Sequence, residues 1–153
     1  MIIGVAIGVI VVLVVLATVM GGNNNKNPNN AEYNYSLSNT TSFTNRDGGT
    51  TKASAGNEFI IATITLKNTN YADGIKSSFA TMFKLNTGEF TYDYTFTKTY
   101  NHPDRLDPDL TINKGSKATF VLVFEVPIGT TGGTLEWHGD FYIKKVVYNS
   151  SLV

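Results

Sequence analysis

Residues 2–20 read IIGVAIGVIVVLVVLATVM, a run of about nineteen positions with no charge, in which Thr18 is the most polar side chain. As a helix rising 1.5 Å per residue this run is roughly 29 Å long, close to the thickness of bilayer hydrocarbon. It holds thirteen Val, Ile and Leu residues. At about −0.3 to −0.6 kcal/mol each, these favour insertion by roughly 4–8 kcal/mol. Val and Ile prefer strands, but a strand this long and uniformly apolar would aggregate, so the run is expected to be a helix.

Three uses fit such a helix. A signal peptide wants a basic leader region, a shorter apolar core and a small-residue cleavage site, and here Ile2 follows Met1 directly. The missing basic flank suggests a mature chain whose charged leader was cut just ahead of Met1. A lipid anchor on cysteine is excluded, because the sequence has no cysteine. A single-span anchor is the second use, although the nearest basic residue, Lys26, stands on the far side of the run. The third is a helix held in the membrane and then drawn out to pack against copies of itself. That role needs an apolar surface all round and small residues for close approach. Gly4 and Gly8 form a GxxxG pair, and Ala6 and Ala17 add small surface. The packing positions expected on this reading are Ile2, Ile3, Gly4, Ala6, Ile7, Gly8, Val11, Leu13, Val15 and Leu16.

Residues 21–32 are expected to form a linker. Its low-complexity part, GGNNNKNPNN at 21–30, stops the helix and has nothing to build a core from. About ten such residues give a flexible join rather than a rigid one. Residues 33–153 then suffice for one outer domain with its own core. Twelve basic and twelve acidic side chains leave no net charge, which argues against nucleic acid as a partner. Without cysteine, neither disulfides nor thiolate metal sites can form.

From Tyr33 the apolar pattern changes to period two. Glu58–Leu66 places Ile60, Ala62, Ile64 and Leu66 on one face. Phe90–Thr97 places Phe90, Tyr92, Tyr94 and Phe96 together, and Lys117–Val126 does the same for Phe120, Leu122, Phe124 and Val126. Phe141–Tyr148 is a fourth run; weaker ones lie at Tyr33–Leu37, Ser78–Leu85 and Thr134–His138. Turn signals separate them at Asp47-Gly48-Gly49, Asn68-Thr69-Asn70, Asn86-Thr87-Gly88, Asn113-Lys114-Gly115 and Gly132-Gly133. About seven short strands with such turns predict an all-β antiparallel sandwich without helical periodicity. In Phe120–Val126, Val121 and Val123 oppose the phenylalanines, as expected of a central strand covered on both faces. The other reading is an outer face packed on a neighbouring subunit or on the helix.

Chemistry-bearing motifs are sparse. Asp104, Asp107 and Asp109 cluster with His102 in HPDRLDPDL, but the segment lacks the glycine and bidentate glutamate of a calcium loop and reads as a solvated turn. Asn45-Arg46-Asp47-Gly48 reads as a turn as well. The stripe Phe90, Tyr92, Tyr94, Phe96 could stack sugars, but at strand spacing it reads first as core. His138 beside Trp137 has no carboxylate at motif spacing. No nucleophile elbow, phosphate loop, zinc-protease helix or dinucleotide fingerprint is present. The expectation is therefore no enzyme, no cofactor, no metal and no catalytic residue. Sequons at Asn34, Asn39 and Asn149 offer possible N-glycosylation.

FIIATITLKNTN at Phe59–Asn70 and LTINKGSKATFVLVFEVP at Leu110–Pro127 resemble the telokin-like, immunoglobulin-type domains of unknown function carried by secreted bacterial and archaeal proteins. That resemblance implies a β-sandwich without catalysis. The N-terminus, separately, is similar to mature archaeal type IV pilins and archaellins, in which apolar helices bundle as a filament core beneath β-domains. Val5 stands where bacterial pilins usually carry glutamate. These resemblances imply a structural subunit of an extracellular, cell-surface filament for adhesion or motility. Its partners would be copies of itself, the membrane before assembly, and the secretion and assembly machinery. The alternative is a surface binding module on a single membrane span. A third reading, a glycan-binding adhesin, places attachment on exposed tyrosines such as Tyr33 or Tyr100.

Overall fold

The computed structural model describes residues 31–131 and 133–138. The expected helix with its packing positions, most of the linker, the sequon at Asn149 and the run Phe141–Tyr148 lie outside them. Among the described residues no helix is long and apolar enough to cross a membrane.

The described residues form ten strands and two short helices in order: β1 (Ala31–Thr40), β2 (Ser42–Thr44), β3 (Thr50–Lys52), β4 (Asn57–Asn68), β5 (Ile75–Lys76), α1 (Ser77–Ala80), β6 (Phe83–Asn86), β7 (Thr91–Asp93), α2 (Phe96–Asn101), β8 (Thr111–Ile112), β9 (Lys117–Pro127) and β10 (Thr134–Trp137). β1, β4 and β9 form one antiparallel sheet with β4 in the middle; β10, β6 and β7 form a second, with β6 in the middle. Ala31 and Glu32, at the end of the segment read as linker, already belong to β1.

The period-two pattern has its expected physical consequence. Ile60, Ala62, Ile64 and Leu66 of β4 face the same core as Phe120, Leu122, Phe124 and Val126 of β9, and the second sheet adds Phe83, Leu85, Leu135 and Trp137. Two tyrosines join the sheets. The Tyr33 hydroxyl donates to the Leu135 carbonyl at 3.2 Å, and the Leu135 N–H donates to the Tyr35 hydroxyl at 3.1 Å. Burial, the largest influence on the Tyr33 phenol, pushes its pKa well above the usual tyrosine range. Tyr33 is 2% exposed, so it cannot be an attachment tyrosine.

The other face of β4 and β9 carries a smaller cluster. Phe59, Val121 and Val123 are buried there against Phe43, Ala53 and Ile61. β9 is thus covered on both faces, as expected, but by its own chain. Among the described residues it stands at the edge of its sheet. An edge strand exposes a row of unpaired backbone groups, and this one is capped by what precedes it in sequence. Thr95 N–H donates to the Val123 carbonyl at 2.7 Å, Val121 N–H to the Asp104 carbonyl at 2.9 Å, and Val123 N–H to Thr99 Oγ1 at 2.9 Å.

That demand overturns the strand expected over Phe90–Thr97. β7 stops at Asp93 and the chain turns into α2. Tyr92 and Tyr94 do pack against the core, but Phe90 and Phe96 are 57% and 67% exposed, so the stripe is not a core face. Thr, Tyr and Phe favour strand locally, yet the helical turn is what brings Thr99 to β9. Pro103 then ends the helix, because the residue before proline is driven to extended backbone; His102 sits at φ −72°, ψ 136°. The Ser78–Leu85 run likewise opens in a single helical turn, α1, and only its second half is strand. Replacing Thr99 by valine keeps the shape and orphans the Val123 N–H. It should cost about 1–3 kcal/mol, read as a lower urea midpoint with an unchanged slope.

Candidate functional site: an aromatic cleft beside α2

α2 is held on three sides. Thr99 and Thr95 tie it to β9, Lys98 Nζ donates to the Lys52 carbonyl of β3 at 3.0 Å, and Arg46 N–H donates to the Asn101 carbonyl at 2.9 Å. Arg46 is presented by the β2–β3 turn. There Asn45 Oδ1 accepts from the N–H groups of Asp47 and Gly49, and Gly48 takes the left-handed φ of 84°. The segment Asn45-Arg46-Asp47-Gly48 is the turn its composition suggests, and it also carries a cation to α2.

Opposite α2 stands α1. Ser77 N–H donates to the Leu110 carbonyl at 3.1 Å and Ser77 Oγ donates to the Pro108 carbonyl, so α1 and the 105–110 loop form one wall. Between the two walls lies an open cleft of about 350 Å³. Ser77, Ser78 and Thr81 form its α1 side; Tyr94, Phe96, Thr99 and Tyr100 form its α2 side; Arg105, Leu106 and Pro108 close one end over a floor of Leu122.

The electrostatics of the cleft centre on Tyr100. Its ring lies 6.1 Å from that of Phe96, nearly parallel at 24°. The guanidinium of Arg105 sits 4.4 Å from the Tyr100 centroid and that of Arg46 sits 5.3 Å from it. Among the described residues ion pairs join Lys84 to Asp93 and His138 to Glu136; neither arginine has one. Arg105 also donates from Nη1 to the Leu106 carbonyl at 3.3 Å. A cation held by an aromatic face is positioned without being neutralised. The arrangement therefore leaves positive charge beside exposed rings.

The acidic segment behaves as turn chemistry. Asp104 N–H donates to His102 Nδ1 at 3.1 Å, and Asp109 N–H to Asp107 Oδ1 at 3.0 Å. Among the described residues no three histidine, aspartate or glutamate side chains come together as a metal-binding group. His102 packs on Phe43, ring centroids 4.8 Å apart. Burial lowers its pKa below the usual imidazole value, against the opposing pull of Asp104. Glu125 is lowered too: burial pushes its carboxyl up, but hydrogen bonds from Ser54 and Asn57, with the charge of Lys98, outweigh it. Both shifts act in the same direction. Below about pH 6.5 for the histidine, and below about 4.5 for the carboxyl, the unfolded chain binds more protons than the folded one. The contribution of these two groups should therefore be full near pH 8 and fall in two steps on acidification. Thermal melts from pH 8 to pH 3 check this, and His102→Asn should remove the upper step alone.

Of the sequon asparagines, Asn34 is exposed on the outer face of β1, while the Asn39 amide donates to Glu58 Oε2 at 3.1 Å. His138 meets Glu136 at 3.3 Å on the surface. Of the two tyrosines considered for attachment, Tyr100, at 43% exposed, lies in the cleft. The sequence reading missed Arg105, Arg46 and Phe96 as a group. Arg105 and Arg46 had each been read as part of a turn, and Phe96 as part of a strand.

No curated protein matches the chain. Among solved structures, a candidate lipoprotein (ycdA) from Bacillus subtilis is similar at 18% identity over 74% of this chain, with a TM-score of 0.39; the chain spans 36% of that protein's length. One family model matches residues 23–147, which include both Phe59–Asn70 and Leu110–Pro127. An all-β antiparallel domain with two short helices, a capped β9 edge and an aromatic cleft is what this chain builds, and it belongs to the family described as Domain of unknown function (DUF4352).

Proposed function

We propose that the protein is a non-catalytic binding module of the cell surface, carried on the apolar segment 2–20 and contacting its ligand through the cleft beside α2. The observation that carries this reading is the cleft itself. Exposed Phe96 and Tyr100, on a helix fixed at three points, stand in it with the Arg105 guanidinium, which makes no ion pair among the described residues. Exposed aromatic rings grouped with a few polar groups in a preformed concavity are the usual make-up of a recognition site. The two sheets facing one core support the finer fold assignment, an immunoglobulin-like sandwich.

A test uses the full chain reconstituted in phospholipid vesicles. Such vesicles should bind purified cell-envelope polysaccharide, and Phe96→Ala should reduce that binding at least tenfold without lowering Tm. Binding unchanged by Phe96→Ala would remove the cleft from the account.

A second reading rests on a different observation, the all-round apolarity of residues 2–20 with Gly4, Ala6 and Gly8 on one stretch. It makes the chain a subunit of an extracellular type IV pilus-like filament, helices inside and β-domains outside. On this reading, sheared surface fibres should contain the chain. A chain that stays in the membrane fraction after shearing would exclude it.

A further inference from the structure

The geometry points to an acidic polysaccharide, one bearing uronate-type carboxylates on its sugar rings, as the ligand of the cleft beside α2. This inference rests on the binding-module reading and narrows it. Three observations carry it. First, the most exposed part of the wall is ring rather than aliphatic chain: Phe96 is 67% exposed and Tyr100 43%, while Leu106 and Leu122 lie buried behind them. Flat, half-open rings suit the C–H faces of a sugar; a fatty chain needs an enclosed aliphatic tunnel.

Second, the charged side chain in the cleft lining is a cation, Arg105, and Arg46 stands against the same tyrosine from outside that lining. Arg105 and Arg46 both lie within 5.3 Å of the Tyr100 ring centroid, and neither makes an ion pair among the described residues, although Asp104 and Asp107 flank Arg105 in sequence. A guanidinium presents a planar fork that matches a carboxylate. Third, Ser78 on the α1 wall is exposed, and hydroxyls of this kind suit the hydroxyl-rich edge of a sugar ring. The cleft is open at the surface, so a polymer can cross it without threading.

Another groove of similar size, about 360 Å³ between Phe90 and Ile128, is lined by the carboxylate Glu89 and, among the described residues, by no cation. It lacks the complementarity on which the inference depends.

The experiment is titration calorimetry of the full chain in lipid nanodiscs with an oligoglucuronate. A neutral oligoglucose of equal length and sodium dodecanoate serve as comparison ligands. Oligoglucuronate should bind at least tenfold more tightly than the neutral sugar. Arg105→Gln and Phe96→Ala should each weaken it tenfold or more with Tm unchanged. Arg105→Lys, which keeps the charge and loses the fork, should fall between wild type and Arg105→Gln. Raising salt from 50 to 300 mM should weaken binding to wild type more than to Arg105→Gln.

Equal binding of acidic and neutral sugars, both lost in Phe96→Ala, would overturn the acidic specificity while leaving the binding-module reading intact. Binding of dodecanoate in place of either sugar would overturn the carbohydrate assignment. No binding by any of the three, together with polysaccharide capture by vesicles that Phe96→Ala leaves unchanged, would overturn both readings. Should Arg105→Gln lower Tm, Arg105→Lys replaces it and must still bind oligoglucuronate more weakly than wild type.

Discussion

Asn68→Ala should destabilise the domain by about 3–5 kcal/mol, the largest effect expected of a single substitution outside the apolar core. The side chain is fully buried. Its Nδ2 donates to the carbonyls of Tyr71 and Ile112, each at 2.9 Å, and its Oδ1 accepts from the Tyr71 N–H at 2.8 Å. The backbone is engaged as well: Asn68 N–H donates to the Ser116 carbonyl and Gly115 N–H donates to the Asn68 carbonyl. One amide thus joins the end of β4, the turn after it and β8. Alanine removes three hydrogen bonds, the one to the Ile112 carbonyl fully buried, and a buried polar group that loses its partner costs more than one that never formed a bond. Urea denaturation of Asn68→Ala beside exposed Lys67→Ala measures the difference. The lysine change should stay within about 0.5 kcal/mol of wild type.

Gly74→Ala should cost about 2–4 kcal/mol, from two separable causes. Gly74 has a φ of +77°, a left-handed conformation that penalises any residue with a Cβ. A Cβ there would also stand 2.5 Å from Thr111 Cγ2, on the strand that pairs with β5. The second cause can be removed without touching the first. Thr111→Ser deletes that methyl, so the double variant should recover about 1 kcal/mol or more relative to the sum of the single changes. Strict additivity in the cycle would mean that the clash relaxes elsewhere and that backbone strain accounts for the whole cost. Gly48 and Gly115, also at positive φ but with open space around the missing Cβ, should show only the conformational part.

These two sites show how unevenly the sequence discloses its fold. Asn68 was legible as part of a turn, since Asn-Thr-Asn after an alternating run marks a strand end. Its burial was not, because turn composition says nothing about what later packs over the turn. β1, β4, β9 and β10 were legible because alternation with one buried face leaves a direct imprint on sequence. Phe90–Thr97 has the same imprint up to Asp93, after which the needs of the β9 edge override local preference. No pattern within residues 95–101 records that Val123, more than twenty positions later, takes its N–H partner from Thr99. The cleft was legible only in pieces for the same reason. Tyr100 was considered as a surface ring, Phe96 as a strand residue and Arg46 as part of a turn. Only tertiary structure places Arg46 and Arg105 beside one tyrosine.

The neutral overall charge also concealed the site. Twelve basic and twelve acidic residues argue against nucleic acid as a partner of the whole chain. They do not forbid a local imbalance, and at physiological salt fields are screened beyond about 8 Å, so what a ligand meets is the cleft rather than the sum. Arg105, which makes no ion pair among the described residues, matters more there than the total.

The most direct test of the account is amide hydrogen exchange of the full chain in nanodiscs, with and without saturating oligoglucuronate. The account predicts added protection confined to the helix at 96–101 and the segment 104–108, with exchange in the core strands at 57–68 and 117–127 unchanged. Protection centred instead on the Phe90–Ile128 groove, or none anywhere while the sugar is demonstrably bound, would contradict it.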